Sequence, residues 1–306
     1  MNKLVILYGS QTGTAADVAE RLQRYASRQY LPSILHNLND YPISNLVHET
    51  MVVFVVATTG QGDPPDNMTQ FWKFILRRNL PANSLPNLRF AVLGLGDSSY
   101  LKFNFIAKKL GKRLEQLGGT SVIPTGLADE QHDLGQEFVI EPWIESCFKQ
   151  IETIIKPTSN QTPIPRDVLL PSKFLLNFND ENWEQRGRVA NGAQDCSFNQ
   201  SNPFHAKMLS NDRVTSGDHW QDVRLIRLDL TDSGIQYKAG DVMVVAPSNP
   251  SDDVEKFLEL FNLDGDEEVG VTSRSKDTKL PHELIPRRSW RWLAEKYFDI
   301  CGTPRT

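Results

Sequence analysis

Leu4-Val5-Ile6-Leu7-Tyr8-Gly9-Ser10-Gln11-Thr12-Gly13-Thr14-Ala15 is the stretch on which the reading of the fold turns. Its apolar run, Leu4 to Tyr8, is too short for a spanning helix or a signal-peptide core and reads as a buried strand. A helical pattern follows at once, with Val18, Leu22 and Tyr25 spaced by three or four. The intervening loop therefore delivers a helix N-terminus, whose free N–H groups and positive dipole end suit an anion, and Ser10, Thr12 and Thr14 add hydroxyl donors. It contains no Lys or Arg, and the G-x-x-x-x-G-K-[ST] and G-x-G-x-x-G spacings are both missing, so a monophosphate suits it better than a triphosphate or a dinucleotide. Taken alone, the loop could equally be a glycine turn into a capped helix.

Outward from that unit the pattern repeats. Met51–Ala57 and Phe90–Leu95 are continuous apolar runs of the kind buried on both faces of a parallel sheet, and Ser33–Leu38 and Thr120–Ile123 are weaker strand candidates. Residues 15–30, 67–78, 104–117 and 136–155 suit helices. Five strands alternating with helices predict a doubly wound α/β domain over 1–150, with any ligand beyond the carboxyl ends of the strands. Two more loops leave strands at that edge. Gly60-Gln61-Gly62-Asp63-Pro64-Pro65-Asp66-Asn67 combines glycines that allow close backbone approach with a stiff proline pair. Gly94-Leu95-Gly96-Asp97-Ser98-Ser99-Tyr100 ends on a ring that could stack on a planar ligand or simply pack.

These three loops resemble the FMN loops of the diflavin reductases in wording and spacing. Thr58-Thr59-Gly60 and the continuation Leu101-Lys102-Phe103-Asn104-Phe105 are similar to the branch of that family serving cytosolic iron-sulfur protein assembly. The resemblance implies a flavodoxin-like five-stranded parallel sheet. It also implies that Ser10, Gln11, Thr12, Gly13, Thr14 and Ala15 bind the FMN phosphate, and that Ala57, Thr58, Thr59 and Gly60 line the isoalloxazine. Leu95, Gly96, Asp97, Ser98, Ser99, Tyr100, Leu101, Lys102, Phe103 and Asn104 would close its other face, with Tyr100 stacked. Asp129 and Glu130 match an acidic loop at the flavin edge, although by themselves they read as solvated loop charges. Thr59 stands where the microsomal cytochrome reductases of the wider family place a second aromatic, implying a less covered flavin face.

The second half is written differently. Residues 151–204 read as a linker with Pro157, Pro163, Pro165 and Pro171 followed by an Asn-rich loop over 177–203. Asp222–Leu230 and Asp241–Ala246 read as strands, with Tyr237-Lys238-Ala239-Gly240 as the turn between them, and Arg288–Tyr297 is an amphipathic stretch. Leu170 to Phe174, Ser210 to Thr215, Gln221 to Ile226 and Ala239 to Met243 resemble the opening of the family's FAD-binding barrel. The expectation is thus an incomplete FAD-binding reductase domain over 205–306, poorly stable alone, in a truncated chain lacking the Arg-x-Tyr-Ser type FAD motif and the NADPH module's Gly-rich turn.

Composition agrees with this division. The 306 residues predict about two domains, and 39% hydrophobic with 23% charged residues is ordinary globular composition. The formal charge is -5, yet residues 1–150 hold 14 basic and 14 acidic groups, so nucleic acid and anionic membranes are not expected as partners. Cys147, Cys196 and Cys301 are too scattered for a disulfide framework or a zinc site, which favours a reducing cytoplasm. No metal, acid, base or nucleophile is expected, and the chain is expected to be monomeric. In the family, the resemblance implies, hydride from NADPH enters at FAD, electrons pass to FMN, and FMN reduces the iron-sulfur protein anamorsin. The alternative is a non-catalytic FMN-binding interaction module. Asp63, Asp66, Asp97, Asp129, Glu130 and Asp133 should make the carboxyl edge of the sheet locally negative, unless Asp66 instead caps the helix after it.

Overall fold

The computed structural model describes residues 3–159, 161–178, 203–274 and 280–302, which fall into two compact units, Met1–Leu170 and Pro171–Thr306. In the first unit the order is β1 (Leu4–Gly9), α1 (Thr14–Arg28), β2 (Ser33–Asn37), β3 (Met51–Ala57), α2 (Thr69–Ile75), β4 (Arg89–Gly96), α3 (Phe105–Gln116), β5 (Thr120–Ser121), β6 (Gly126–Asp129) and α4 (Glu137–Ile154). The strands form one parallel sheet ordered β2-β1-β3-β4, with β5 and β6 both beside β4.

The continuous apolar runs are explained by which face each residue serves. Side chains alternate along a strand, so Leu4, Ile6, Val53, Val55, Ala91 and Leu93 pack under α1 and α4, while Val5, Leu7, Val52, Phe54, Phe90 and Val92 pack under α2 and α3. All twelve are essentially fully buried. At roughly 1.5–3 kcal/mol per large apolar side chain buried, two such faces dominate the stabilisation of this unit. Each helix supplies the matching stripe: Ala15, Val18, Ala19, Leu22 and Ala26 in α1, and Ile106, Ala107, Leu110 and Leu114 in α3.

Register decides where the loops go. Gly9 pairs with Val56, Ala57 with Leu95, and Gly96 with Asp129, so β1, β3, β4 and β6 all end in line. The four loops that follow open on one edge. Close packing beneath them requires glycine: a Cβ on Gly94 would lie 2.5 Å from the Ala107 Cβ and 2.7 Å from Asn104 Oδ1.

Several sequence expectations need correction. The fifth strand is interrupted: only Thr120 and Ser121 of Thr120–Ile123 pair with β4, and the ladder resumes at Gly126. Pro124 between the two pieces has no N–H to offer a ladder. Gly126–Asp129 is therefore a strand, so Asp129, expected in an acidic loop, ends that strand and Glu130 is the first residue beyond it. The stretch that begins at Ile151 is not a free linker from its start, since α4 runs to Ile154 and Ile155 is fully buried. Beyond it, the N–H and hydroxyl of Thr158 donate to the Tyr30 carbonyl, the Ile164 N–H donates to Arg28 O, and the Arg28 guanidinium donates to the carbonyls of Pro165 and Val168. A proline-rich strip lacks N–H donors but keeps its carbonyls, which is why a guanidinium can hold it.

The second unit has a small core of its own. β7 (Phe174–Asn177) pairs antiparallel with β10 (Glu268–Ser273), which pairs with β11 (Arg288–Ser289), and helix α5 (Ser251–Leu260) buries Val254 and Leu258 in the same cluster as Val269, Val271, Trp290 and Leu293. β8 (Lys207–Arg213) and β9 (Arg224–Asp229) form a separate antiparallel pair, β9 lying within the expected Asp222–Leu230. Asp241–Ala246 pairs with no strand among the described residues, and Val242 is 87% exposed. Apolar alternation selects an extended backbone but cannot supply a ladder partner. The turn before it does form, with Gly240 at φ 96 and the Asp241 N–H donating to the Lys238 carbonyl at 3.0 Å. The Asn-rich 179–202 lie outside the described residues, as does Cys196.

Gly94→Ala should destabilise the first unit by about 1–3 kcal/mol, because neither the Ala107 methyl nor the β4 backbone has room to move. A thermal melt followed by circular dichroism checks this, and an unchanged melting temperature would show that the β4–α3 contact yields.

Candidate functional site

A cleft of about 460 Å³ opens where the four loops meet, well within the size of small-ligand sites. Its first wall is the β1–α1 loop. Gly13 takes a left-handed turn at φ 101, and its N–H donates to Ser10 Oγ at 3.1 Å, bending the chain so that Ser10, Gln11, Thr12, Thr14 and Ala15 line the cleft. The loop is fixed from outside: the Ser10 N–H donates to Asn67 Oδ1 at 2.8 Å, while Gln11 Nε2 donates to Asp66 Oδ2 and Gln11 Oε1 accepts from the Asp66 N–H, each at 3.0 Å. The Asp66 carboxylate thus braces the loop opposite and makes no side-chain cap for the turn that follows it. The N–H groups of the first turn of α1 have no acceptor within the helix and face this loop.

The second wall follows β3. The Thr59 and Asp63 N–H groups cross-donate to the carbonyls of Asp63 and Thr59 at 2.9 and 2.8 Å, and the Thr59 hydroxyl donates to Asp63 O. Gly60 at φ 49 and Gly62 at φ 94 make so tight a loop possible, and a Cβ on Gly62 would collide with the Lys102 side chain. Ala57, Thr58, Thr59, Gly60 and Gln61 line the cleft here.

The third wall, after β4, is held by carboxylates. Asp129 Oδ1 accepts from the N–H groups of Ser98 and Gln131 at 2.9 and 3.0 Å, and Asp97 accepts from the Ser99 N–H and from Gln131 Nε2 at 2.8 and 3.1 Å. Hydrogen bonds from Ser99 hold the Asp97 carboxyl below its usual 3.8, and those from Ser98 do the same for Asp129. A lowered folded-state pKa means that the carboxylates' grip on the loop is complete above that ordinary value and lapses only as pH falls through the lowered one. Both groups are therefore charged staples at neutral pH. Tyr100 is 58% exposed and lines the cleft, so its ring face is open to a planar guest.

Asn104 closes the third wall. It sits in the left-handed region at φ 51 with a fully buried side chain, which Asn tolerates better than most residues. Its Nδ2 donates to the Ala128 carbonyl at 2.9 Å and ties the start of α3 to β6, but its Oδ1 has no partner among the described residues. A Cβ on Gly96 would reach that oxygen at 3.0 Å, so glycine keeps the space.

Of the residues expected to hold FMN, the cleft gathers Ser10, Gln11, Thr12, Thr14, Ala15, Ala57, Thr58, Thr59, Gly60, Leu95, Gly96, Asp97, Tyr100, Leu101, Lys102, Phe103, Asn104 and Glu130. Gly13, Ser98 and Ser99 do not line it; they shape the loops instead. Sequence reading missed Gln61 and Gln136 as lining residues. Gln61 was marked by its two flanking glycines, whereas Gln136 carries no local signal and reaches the cleft only through the placement of α4. Hydroxyls and helix N–H groups at one end, an apolar floor of Ala57 and Leu95, an open ring, and an orphaned buried amide oxygen fit a flavin mononucleotide. No cluster of potential metal ligands exists among the described residues, nor any helix there long and apolar enough to cross a membrane.

Comparison with known proteins gives the same division of the chain. The flavodoxin family model matches residues 6–143 and the FAD binding domain model matches residues 196–306. NADPH-dependent diflavin oxidoreductase 1 of Xenopus laevis is 46% identical over 99% of this chain and 52% of its own length, and the Arabidopsis thaliana protein of that name is 38% identical over 92% and 48%. This chain therefore spans about half the length of these relatives. A flavodoxin from Pseudomonas aeruginosa, solved as a cysteine-to-alanine mutant, is 30% identical over 49% of this chain and 99% of its own, with a TM-score of 0.42.

Thr12→Ala should weaken FMN binding more than riboflavin binding, because riboflavin has no phosphate for the hydroxyl to meet. The expected loss for FMN is roughly 1.5–3 kcal/mol, the worth of a hydrogen bond to a charged group. Titration of apoprotein by flavin fluorescence measures both, and equal losses would give Thr12 a purely structural role.

Proposed function

We propose, from its similarity to the diflavin oxidoreductases over nearly its whole length, that the first unit of this chain is an FMN-bearing electron carrier that delivers electrons to a protein acceptor. The convergence of three loops, far apart in sequence, on one cleft carries this reading. When bound, FMN supplies one-electron chemistry between an NADPH- and FAD-fed reductase and an iron-sulfur acceptor of the anamorsin type in cytoplasmic cluster assembly.

The residues of this chain have separable roles in that reading. Ser10, Thr12, Thr14 and the first N–H groups of α1 hold the phosphate, and the absence of Lys or Arg in this loop leaves its charge to dipoles and hydroxyls. Tyr100 stacks on one face of the ring and excludes water from it. The loop from Thr59 to Asp63 offers backbone polar groups to the ring edge from a segment whose glycines allow the peptide to reorient. On the other face Thr59 leaves less cover than an aromatic would. Asp97 and Asp129 are engaged as staples, whereas Glu130 and Asp133 are exposed and project charge from the rim. Such charge steers a positive patch on an acceptor and acts on association rates more than on affinity.

Flavin released from the purified chain should be FMN, with FAD a minor component at most; recovery of FAD as the main flavin would overturn the assignment. After chemical reduction, mixing with anamorsin in a stopped-flow instrument should give fast transfer that slows in the Glu130→Gln, Asp133→Asn variant at low salt. The difference should close as salt rises, since screening acts over about 8 Å at physiological ionic strength. Equal rates for variant and parent at low salt would remove these two acids from docking. NADPH added to the oxidised chain separates the reductase reading from the non-catalytic FMN module, by whether the flavin spectrum bleaches.

A further inference from the structure

Between Thr69 and Gln116 the chain carries nine basic and two acidic residues, within a 150-residue stretch whose net charge is zero. The fold concentrates this excess. α2 and α3 cover the same face of the sheet, and Arg113 joins them by donating to the carbonyls of Ile75 and Arg77 at 2.7 and 2.6 Å. On their outer side Lys73, Arg77, Arg78, Lys108, Lys109 and Lys112 are all exposed. Among the described residues none of these six has a carboxylate within 4 Å. By contrast, Arg21 and Arg166 of the same unit are both paired with acids of α4.

The patch reaches the cleft. Lys109 Nζ lies 5.5 Å from the ring centres of both Trp72 and Phe105, Lys102 Nζ lies 5.7 Å from Phe105, and Lys102 itself lines the cleft. We propose that the α2–α3 face is a docking surface for an acidic patch on a redox protein, beside the cleft through which electrons pass. The choice of a redox partner rests on the electron-carrier reading above; the choice of an acidic protein surface rests on the patch. Two observations favour a protein over a nucleic acid. On α2 and α3 themselves, Lys or Arg groups already cover the rings of Trp72, Phe74 and Phe105, so none of these three is a bare platform for base stacking. The acids Asp97 and Glu130, which line the same cleft, would repel a continuous polyanion. A folded partner carrying an acidic patch opposite α2–α3 and a basic one opposite those acids satisfies both flanks.

The test uses the flavin-loaded chain and two one-electron haem proteins as probes, the acidic soluble domain of cytochrome b5 and the basic cytochrome c. The variant is Lys73→Glu, Lys109→Glu, Lys112→Glu, none of which lines the cleft, with Lys149→Glu on α4 as a single-site control. Fluorescence anisotropy with labelled cytochrome b5 reads docking without any electron transfer. Stopped-flow oxidation of the chemically reduced flavin reads transfer. Expected are a loss of about tenfold or more in both readouts for cytochrome b5 at low salt, closing at high salt, with cytochrome c unimpaired and the control near the parent. Unchanged binding of cytochrome b5 in the triple variant would overturn the docking surface. So would tighter, variant-sensitive binding of single-stranded dT20 or of phosphatidylserine vesicles than of cytochrome b5. If docking responds as expected while neither cytochrome takes electrons, the electron-carrier reading fails and the acidic-partner surface stands.

Discussion

Everything at the candidate site depends on the register of β1, β3, β4 and β6. β1, β3 and β4 are short strands buried on both faces, β6 is buried on one, and their partners fix them so that Gly9, Ala57, Gly96 and Asp129 arrive at one edge. Slipping any of them by one residue would exchange the side chains under α1 and α4 with those under α2 and α3, so the two cores together lock the register. The cleft is the open end of that lock. Its walls are loops, free to vary in chemistry because the strands behind them are not free to move.

The loops, in turn, are stiffened by polar groups that a first reading would assign to solvent. Asp66 braces the β1–α1 loop through Gln11, and Asp97 and Asp129 gather the N–H groups of Ser98, Ser99 and Gln131. These carboxylates have two effects at once. They preorganise a cavity that can receive a phosphate at one end and a flat ring at the other, and they leave one flank of its rim acidic. The flank built by α2 and α3 is basic, and a stretch with no net charge therefore presents a strong local asymmetry. Electrostatic guidance of a partner needs such asymmetry, not bulk charge.

The second unit shows how far local pattern carries without partners. β7, β10 and α5 form a small core around Val269, Val271 and Trp290, because antiparallel strands and an amphipathic helix close over each other. Residues 241–246 have as good an apolar pattern as β9, yet stand unpaired among the described residues. A strand is a relation between two segments, and one segment cannot show it.

The amino-acid sequence by itself determined the α/β alternation, the three glycine-rich loops and most of the residues that line the cleft, because buried strands, helix starts and tight turns each impose residue types at fixed local spacing. It left β2 and the broken fifth strand weakly marked, since Ser33–Asn37 is only partly buried and a two-residue ladder has no periodicity to read. Only the tertiary structure decided that Gln136 belongs to the cleft, that Asp66 and Asp129 are staples, that the prolines after Ile155 lie along Arg28, and that cations from two helices form one surface. Each of these pairs residues tens of positions apart. Such pairs are brought together by sheet register and helix packing, which depend on the whole core and leave no trace in any short window of sequence.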